Sequence, residues 1–152
     1  LKKARVGWLG CTNGTLFSLI EALRYFPFSL QVALPPLEDR PTLETYARHC
    51  GVKVDFVDTP QQAVEGCNFV YAGCRAGLDD ELAQQWKVDD TLLSHADPKA
   101  RVLLGTSPMQ AIEVASDILA SPASLLLLQS ENRLRVHKRL LHWVFLENER
   151  AI

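Results

Sequence analysis

Short apolar runs alternate with helix-period stretches along the whole chain, and this alternation constrains the fold more than any other feature. Arg5 to Leu9 is an apolar run that ends at Gly10, which predicts a buried strand. Leu16, Leu19, Ile20, Leu23 and Phe26 then recur at spacings of three and four, predicting a helix over 16–26 that Pro27 closes. Leu30 to Leu34 reads as a second strand, stopped by Pro35 and Pro36. Thr42 to Cys50 reads as a helix, with Pro41 near its start and Gly51 past its end. Val52 to Val57 reads as a third strand, and Thr59-Pro60 opens a short helix through Val64. Phe69 to Tyr71 is a fourth strand, followed by a loop over 72–78. Short helices follow at 79–86 and 90–95, then a fifth strand from Arg101 to Leu104. A helix over 110–119, a sixth strand over Leu125 to Leu128 and a long helix from Glu131 to about Glu147 complete the pattern.

Strands separated by helices of this length predict an α/β fold. The expected form is a three-layer Rossmann-like domain. It has a central, mostly parallel sheet of five to six strands and helices on both faces. The 152 residues predict a single domain over 1–152, because typical domains run to about 100–150 residues. Many two-domain enzymes have halves of this size, and the chain opens at Leu1 without a methionine. A fragment and a complete protein are therefore both expected possibilities.

Composition excludes several classes. Net charge is −2, so no electrostatic excess draws the chain to nucleic acid or to an anionic membrane. The longest apolar run falls far short of the ~20 residues that span a bilayer. The four cysteines, Cys11, Cys50, Cys67 and Cys74, form neither a CxxC pair nor a zinc-type cluster. They predict reduced, mostly buried thiols in a cytoplasmic protein. The four histidines are scattered, and His137 and His142 do not share a helix face as a metal pair would. No metal and no cofactor are expected.

Ligands of such sheets bind beyond the carboxyl ends of the strands, which selects three loops. The first, Gly10-Cys11-Thr12-Asn13-Gly14, leads into a helix whose N–H groups can hold an anion. It departs from the dinucleotide fingerprint, with Thr12 at the second glycine and no acidic residue at the end of the second strand. A plain strand-to-helix turn and a small-ligand loop both fit it, and a nucleotide fits it less well. The second loop holds Gly73, Cys74, Arg75, Gly77 and Leu78, and Arg75 could grip a carboxylate or phosphate or be an ordinary surface cation. The third holds Gly105, Thr106, Ser107 and Pro108.

At the last helix, Ser130 suits an N-cap, and Arg133 would then stand in the first turn, opposed to the helix dipole. That placement makes sense if Arg133 meets an anion. Beyond it, Leu134, Val136, Leu140, Leu141, Trp143, Val144 and Phe145 form a stripe too broad for one surface-helix face. The helix is expected to pack on a second domain or on another copy.

Three stretches carry a family resemblance. Val6-Gly7-Trp8-Leu9-Gly10, with Asn13 and Ser18-Leu19-Ile20-Glu21-Ala22, resembles a WVGD-x-NN-x-x-x-SL-x-EA opening. Val64 to Tyr71 resembles an AVKGADVVYTD strand. Ser130-Glu131-Asn132-Arg133-Leu134, with Val136, Lys138 and Trp143, resembles an AENRLHVQKALLLWLL helix. Together they are similar to the second, amino-acid-binding domain of the aspartate/ornithine carbamoyltransferases. The resemblance implies transfer of a carbamoyl group from carbamoyl phosphate to an amine of ornithine or aspartate. It implies Arg133 as the catalytic residue that polarises the reacting carbonyl, and Asn13 in the loop that contacts the amino acid. It carries substrate positions onto Gly73, Gly77, Leu78, Thr106, Ser107 and Pro108 as well, and the loop reading adds Gly14 and Arg75 as candidate contacts.

The chain also departs from the family pattern. The family's aspartate after the strand tyrosine falls at Gly73, its Ser-Met pair at Gly77-Leu78, and its His-Cys-Leu-Pro segment at Gly105-Thr106-Ser107-Pro108. The Ser-Thr-Arg-Thr-type phosphate loop of the first domain is absent. The expected function is therefore the amino-acid-binding half of a carbamoyltransferase, inactive alone, whose partners are an amino acid or related amine. Carbamoyl phosphate is expected to bind only with a second domain. Two alternatives stand beside it: a non-catalytic subunit acting by association, and a Rossmann-like nucleotide binder.

Overall fold

A computed structural model of the chain describes residues 4–36, 38–73, 77–105 and 113–147. Among these residues, five strands form one sheet: β1 (Arg5–Leu9), β2 (Ser29–Ala33), β3 (Asp55–Val57), β4 (Phe69–Ala72) and β5 (Arg101–Leu104). Their order is β3-β2-β1-β4-β5, and every neighbouring pair is parallel. Trp8 stands opposite Val32 on one side and Tyr71 on the other, and Leu9 opposite Ala33 and Ala72. The central strand is thus enclosed on both flanks, as near-continuous apolar strands of parallel sheets require.

Alternation along the strands divides the core in two. Trp8, Leu30, Val32 and Tyr71 face α1 (Gly14–Ala22) and α2 (Arg40–Cys50), packing on Leu16, Ile20, Leu43 and Ala47. Leu9, Ala33, Val70, Ala72, Val102 and Leu104 face the opposite layer. That layer comprises α3 (Pro60–Val64), α4 (Asp80–Gln85), α5 (Asp90–Leu93) and α6 (Ser116–Ala120), which contribute Val64, Leu82, Leu92 and Ile118. Helices on both faces of a parallel sheet bear out the expected fold class.

Local signals explain the helix starts. Thr59 and Gln62 form a reciprocal capping box with Pro60 in the first turn of α3. Asp39, Asp79 and Asp89 cap α2, α4 and α5 by accepting from backbone N–H groups.

Several boundaries differ from the expected ones. Helix α1 ends at Ala22, and Leu23 to Phe26 continue only as turns. The third strand is confined to Asp55–Val57. Of the helix expected over 110–119, residues 110–112 lie outside the described residues. Val114 forms a parallel bridge with Val88, and the helix α6 begins at Ser116.

The expected sixth strand does not form. Ser124 makes a single parallel bridge to Val102, with Val102 N donating to Ala123 O (2.8 Å) and Leu125 N to Val102 O (2.9 Å). The chain then turns directly into α7 (Leu126–His142), which ends in a five-residue π-helical turn, Trp143–Glu147. Ser130 is therefore no cap: it lies within the helix, its hydroxyl donating to Leu126 O at 3.0 Å. Arg133 stands well inside the helix, and its expected conflict with the helix dipole does not arise.

Candidate functional site

The strand order reverses between β1 and β4, and the crevice at their carboxyl ends is where ligands of such sheets sit. Three glycines carry the parallel ladder one residue past the strands. Gly10 N donates to Ala33 O (3.4 Å), Gly73 N to Leu9 O (2.7 Å) and Gly105 N to Ala72 O (2.8 Å).

Asn13 is the N-cap of α1, its side-chain oxygen accepting from Thr15 N (2.9 Å) and Leu16 N (3.2 Å). This fixes the residue in extended backbone at the mouth of the crevice. Gly14 is the first helical residue and is exposed. Sequence spacing predicts no acidic group near the end of β2. The chain nevertheless brings Glu38 back to the first loop, where its carboxylate accepts from Thr12 N at 2.8 Å.

Beneath the loop lies an aromatic pair. Trp8, fully buried, stacks on Tyr71 at 4.8 Å between ring centroids and 23° between planes. Its indole N–H donates to Gly10 O at 3.2 Å, so the ring is pinned to the first loop. The Tyr71 hydroxyl lies beside the side chains of Gln129 and Thr15. Burial pushes the Tyr71 phenol above its ordinary range, and these polar neighbours only partly offset it.

Gly73 occupies the position where the family resemblance implies a carboxylate. A Cβ there would lie 2.6 Å from Trp8 Cζ2 and 2.9 Å from Leu9 O. The Trp8 ring fills the space that a side chain at 73 would need. Gly77 turns with a positive φ of 83°, and Leu78 packs, half-buried, against the second core. Arg75, Thr106, Ser107 and Pro108 lie outside the described residues, as does Cys74.

Arg133 is exposed on α7. Glu131, the acidic residue of that helix, pairs with Arg135 at 3.3 Å. Arg133 follows Gln129 by one helical turn, and residues at that spacing share a helix face. Gln129 faces the end of β5: its Oε1 accepts from Leu104 N (3.2 Å) and its Nε2 donates to Leu104 O (2.8 Å). By its spacing, Arg133 shares the side of α7 that Gln129 presents to the end of β5.

Sequence reasoning overlooked Gln129, Glu38 and the role of Trp8. Trp8 and Tyr71 stood inside quoted motifs, and Gln129 immediately precedes one. A signal was therefore present, but it concerned identity and not contact. Cys11, Cys50 and Cys67 are in no disulfide. Cys67 is buried, its single S–H within reach of two acceptors, Gln31 Oε1 (3.1 Å) and Ala63 O (3.3 Å), and burial pushes its pKa up to about 11. Among the described residues no helix is long and apolar enough to cross a membrane.

Comparisons with known proteins agree with one another. The family described as aspartate/ornithine carbamoyltransferase, Asp/Orn binding domain, matches residues 2–144. The chain is 33% identical over 156 residues to an ornithine carbamoyltransferase of Nitratidesulfovibrio vulgaris, covering 97% of this chain and 52% of the relative. It is 35% identical over 153 residues to that of Oleidesulfovibrio alaskensis, covering 95% and 51%. The chain thus spans about half the length of these curated relatives. Among solved structures, the mitochondrial ornithine carbamoyltransferase of Coccidioides immitis superposes with a TM-score of 0.79 at 21% identity, covering 92% of this chain and 47% of that one. The ornithine carbamoyltransferase of Thermus thermophilus superposes at 0.76 with 26% identity, covering 91% and 47%. The chain belongs to the aspartate/ornithine carbamoyltransferase family and corresponds to its Asp/Orn-binding domain.

Proposed function

We propose that residues 1–152 act as one domain that holds the amine acceptor in a carbamoyl transfer and does not complete the reaction alone. The observation that supports this reading is the spacing of Arg133 one helical turn beyond Gln129, whose amide bonds the end of β5. In the reaction, the acceptor nitrogen attacks the carbonyl carbon of carbamoyl phosphate and forms a C–N bond. The C–O bond to phosphate breaks, phosphate leaves, and the nitrogen loses a proton. Arg133 would stabilise the charge that develops on the carbonyl oxygen, an electrostatic contribution that requires a preorganised donor. Asn13, with Gly14 and the loops holding Gly73, Arg75, Gly77, Leu78, Thr106, Ser107 and Pro108, would surround the acceptor. Because Trp8 leaves no room for a side chain at 73, the ornithine-type carboxylate has no counterpart there. An amine other than ornithine fits that surface better.

Carbamoyl phosphate would bind only when a second domain supplies the phosphate site, and the apolar flank of α7 would be the contact with that domain. The near-neutral charge supports neither a nucleic acid nor a membrane partner. Cysteines held in no disulfide support a cytoplasmic location. Titration calorimetry with ornithine, aspartate, simple amines and carbamoyl phosphate tests the reading. Heat from at least one amine, none from carbamoyl phosphate alone, and no turnover are expected. Sustained formation of citrulline or carbamoyl-aspartate by this chain alone would overturn the claim that it needs a second domain.

A second reading, a non-catalytic subunit acting by association, is favoured by one observation: Leu134, Leu141 and Phe145 are each more than half exposed along one helix. Silence toward every amine, together with self-association, would favour it.

A further inference from the structure

We infer that Gln129 is a positioning residue: its side-chain amide sets the direction of α7, and with it Arg133, against the acceptor loop. The inference rests on the role proposed above for Arg133. Beyond Leu126, Gln129 is the one position of α7 that is not exposed among the described residues, and residues 130–146 all face solvent. A helix of 17 residues is thus held to the body by its first turn. Within that turn, the amide of Gln129 does what a neighbouring strand would do. It accepts from Leu104 N and donates to Leu104 O, closing both backbone groups at the end of the edge strand. Two residues earlier on β5, Val102 is closed by backbone atoms of Ala123 and Leu125. The segment entering α7 therefore pairs with β5 first through its backbone and then, once it has become helical, through one side chain.

Gln129 also lies beside Tyr71, as does Thr15 in the first turn of α1. Tyr71 stacks on Trp8, and Trp8 is tied to Gly10. The anchor of the helix that carries Arg133 therefore sits next to the aromatic pair beneath the acceptor loop. A glutamine suits the junction because it alone among side chains of that length offers a donor and an acceptor in one plane.

Nuclear magnetic resonance on the full chain tests this without any chemistry. Residual dipolar couplings of the α7 amides report how firmly the helix is oriented relative to the sheet. Hydrogen exchange of the Leu104 amide reports the bond to Gln129. In Gln129→Leu, Leu104 exchange should accelerate roughly tenfold, as expected for a lost, partly buried hydrogen bond. The couplings of α7 should fall to half or less of those in the sheet. Gln129→Glu keeps an acceptor for Leu104 N–H and should restore most of that protection, while loosening α7 through loss of the donor. Gln129→Glu carries the test if Gln129→Leu does not fold. Unchanged couplings in α7 across the variants would overturn the inference, even with faster Leu104 exchange, because Gln129 would then merely close the sheet edge. No readout depends on acceptor binding or carbamoyl transfer. A failed acceptor reading leaves the tether intact, and a failed tether leaves the acceptor reading intact.

Discussion

The centre of the sheet and the last helix are both rich in large apolar residues, yet they are treated oppositely. Trp8, Leu16, Ile20 and Val70 are almost completely withdrawn from solvent, whereas Leu134, Val136, Phe145 and Leu146 are each more than half exposed. Large apolar side chains occur in both regions; what differs is the presence of a facing layer. Strands β1 and β4 have helices on one or both sides and neighbours on both flanks. Helix α7 meets the edge of β5 and the core only in its first turn, through Leu126 and Gln129, and its described residues from 130 to 146 are exposed. The burial of an apolar side chain is decided by what the rest of the chain supplies opposite it, so an uncovered stripe marks a contact still to be made.

Substitutions at the two regions should separate accordingly. The largest effect is expected from Trp8→Ala, which removes a fully buried ring that stacks on Tyr71 and braces Gly10. It should cost about 3–5 kcal/mol in urea unfolding. Gly7→Ala comes next. Its Cβ would lie 2.3 Å from Ala63 O, so strand and helix α3 must separate. A loss of about 1–3 kcal/mol is expected, as for other overpacked sites. Asn13→Ala removes the α1 cap and should cost about 1 kcal/mol in the same assay, together with weaker amine binding by calorimetry. Leu141→Glu, on the exposed flank of α7, should change stability by less than about 0.5 kcal/mol. It should nevertheless reduce any association seen by sedimentation velocity. A loss of more than about 2 kcal/mol, the scale of a buried leucine, would mean that α7 packs on the body and would abolish the contrast.

Much of the fold was legible because periodicity reports burial. Trp8, Val32 and Val70 sit in short apolar runs between turn residues, and those runs became strands in the expected order. The run Leu125 to Leu128 misled for the same reason, since four consecutive apolar residues look alike in a buried strand and at the start of a helix. Ser130 compounded the error by resembling a cap. The true start has no side-chain cap, because the preceding residues are already held by hydrogen bonds to β5. In the candidate site, Asn13 could be singled out from its loop and Arg133 from its motif. Gln129 could not, because its partners are backbone atoms of Leu104, 25 residues away, which no residue pattern announces. The close fit of Gly73 against Trp8 was hidden too, since a glycine in a loop says nothing about which ring lies beneath it.

The closure of β5 has a consequence for how the molecule can meet others. An open edge strand presents free N–H and C=O groups that invite another strand to add on, the usual route to uncontrolled aggregation. Here the groups of Val102 are taken by Ala123 and Leu125, and those of Leu104 by Gln129. At the opposite edge, β3 is only three residues long and begins at Asp55, which is paired with Lys53 at 3.0 Å. Neither edge offers a long template for a further strand. Association is steered away from the indiscriminate hydrogen bonding of sheet edges and toward the side chains of α7, where shape and residue identity decide the partner.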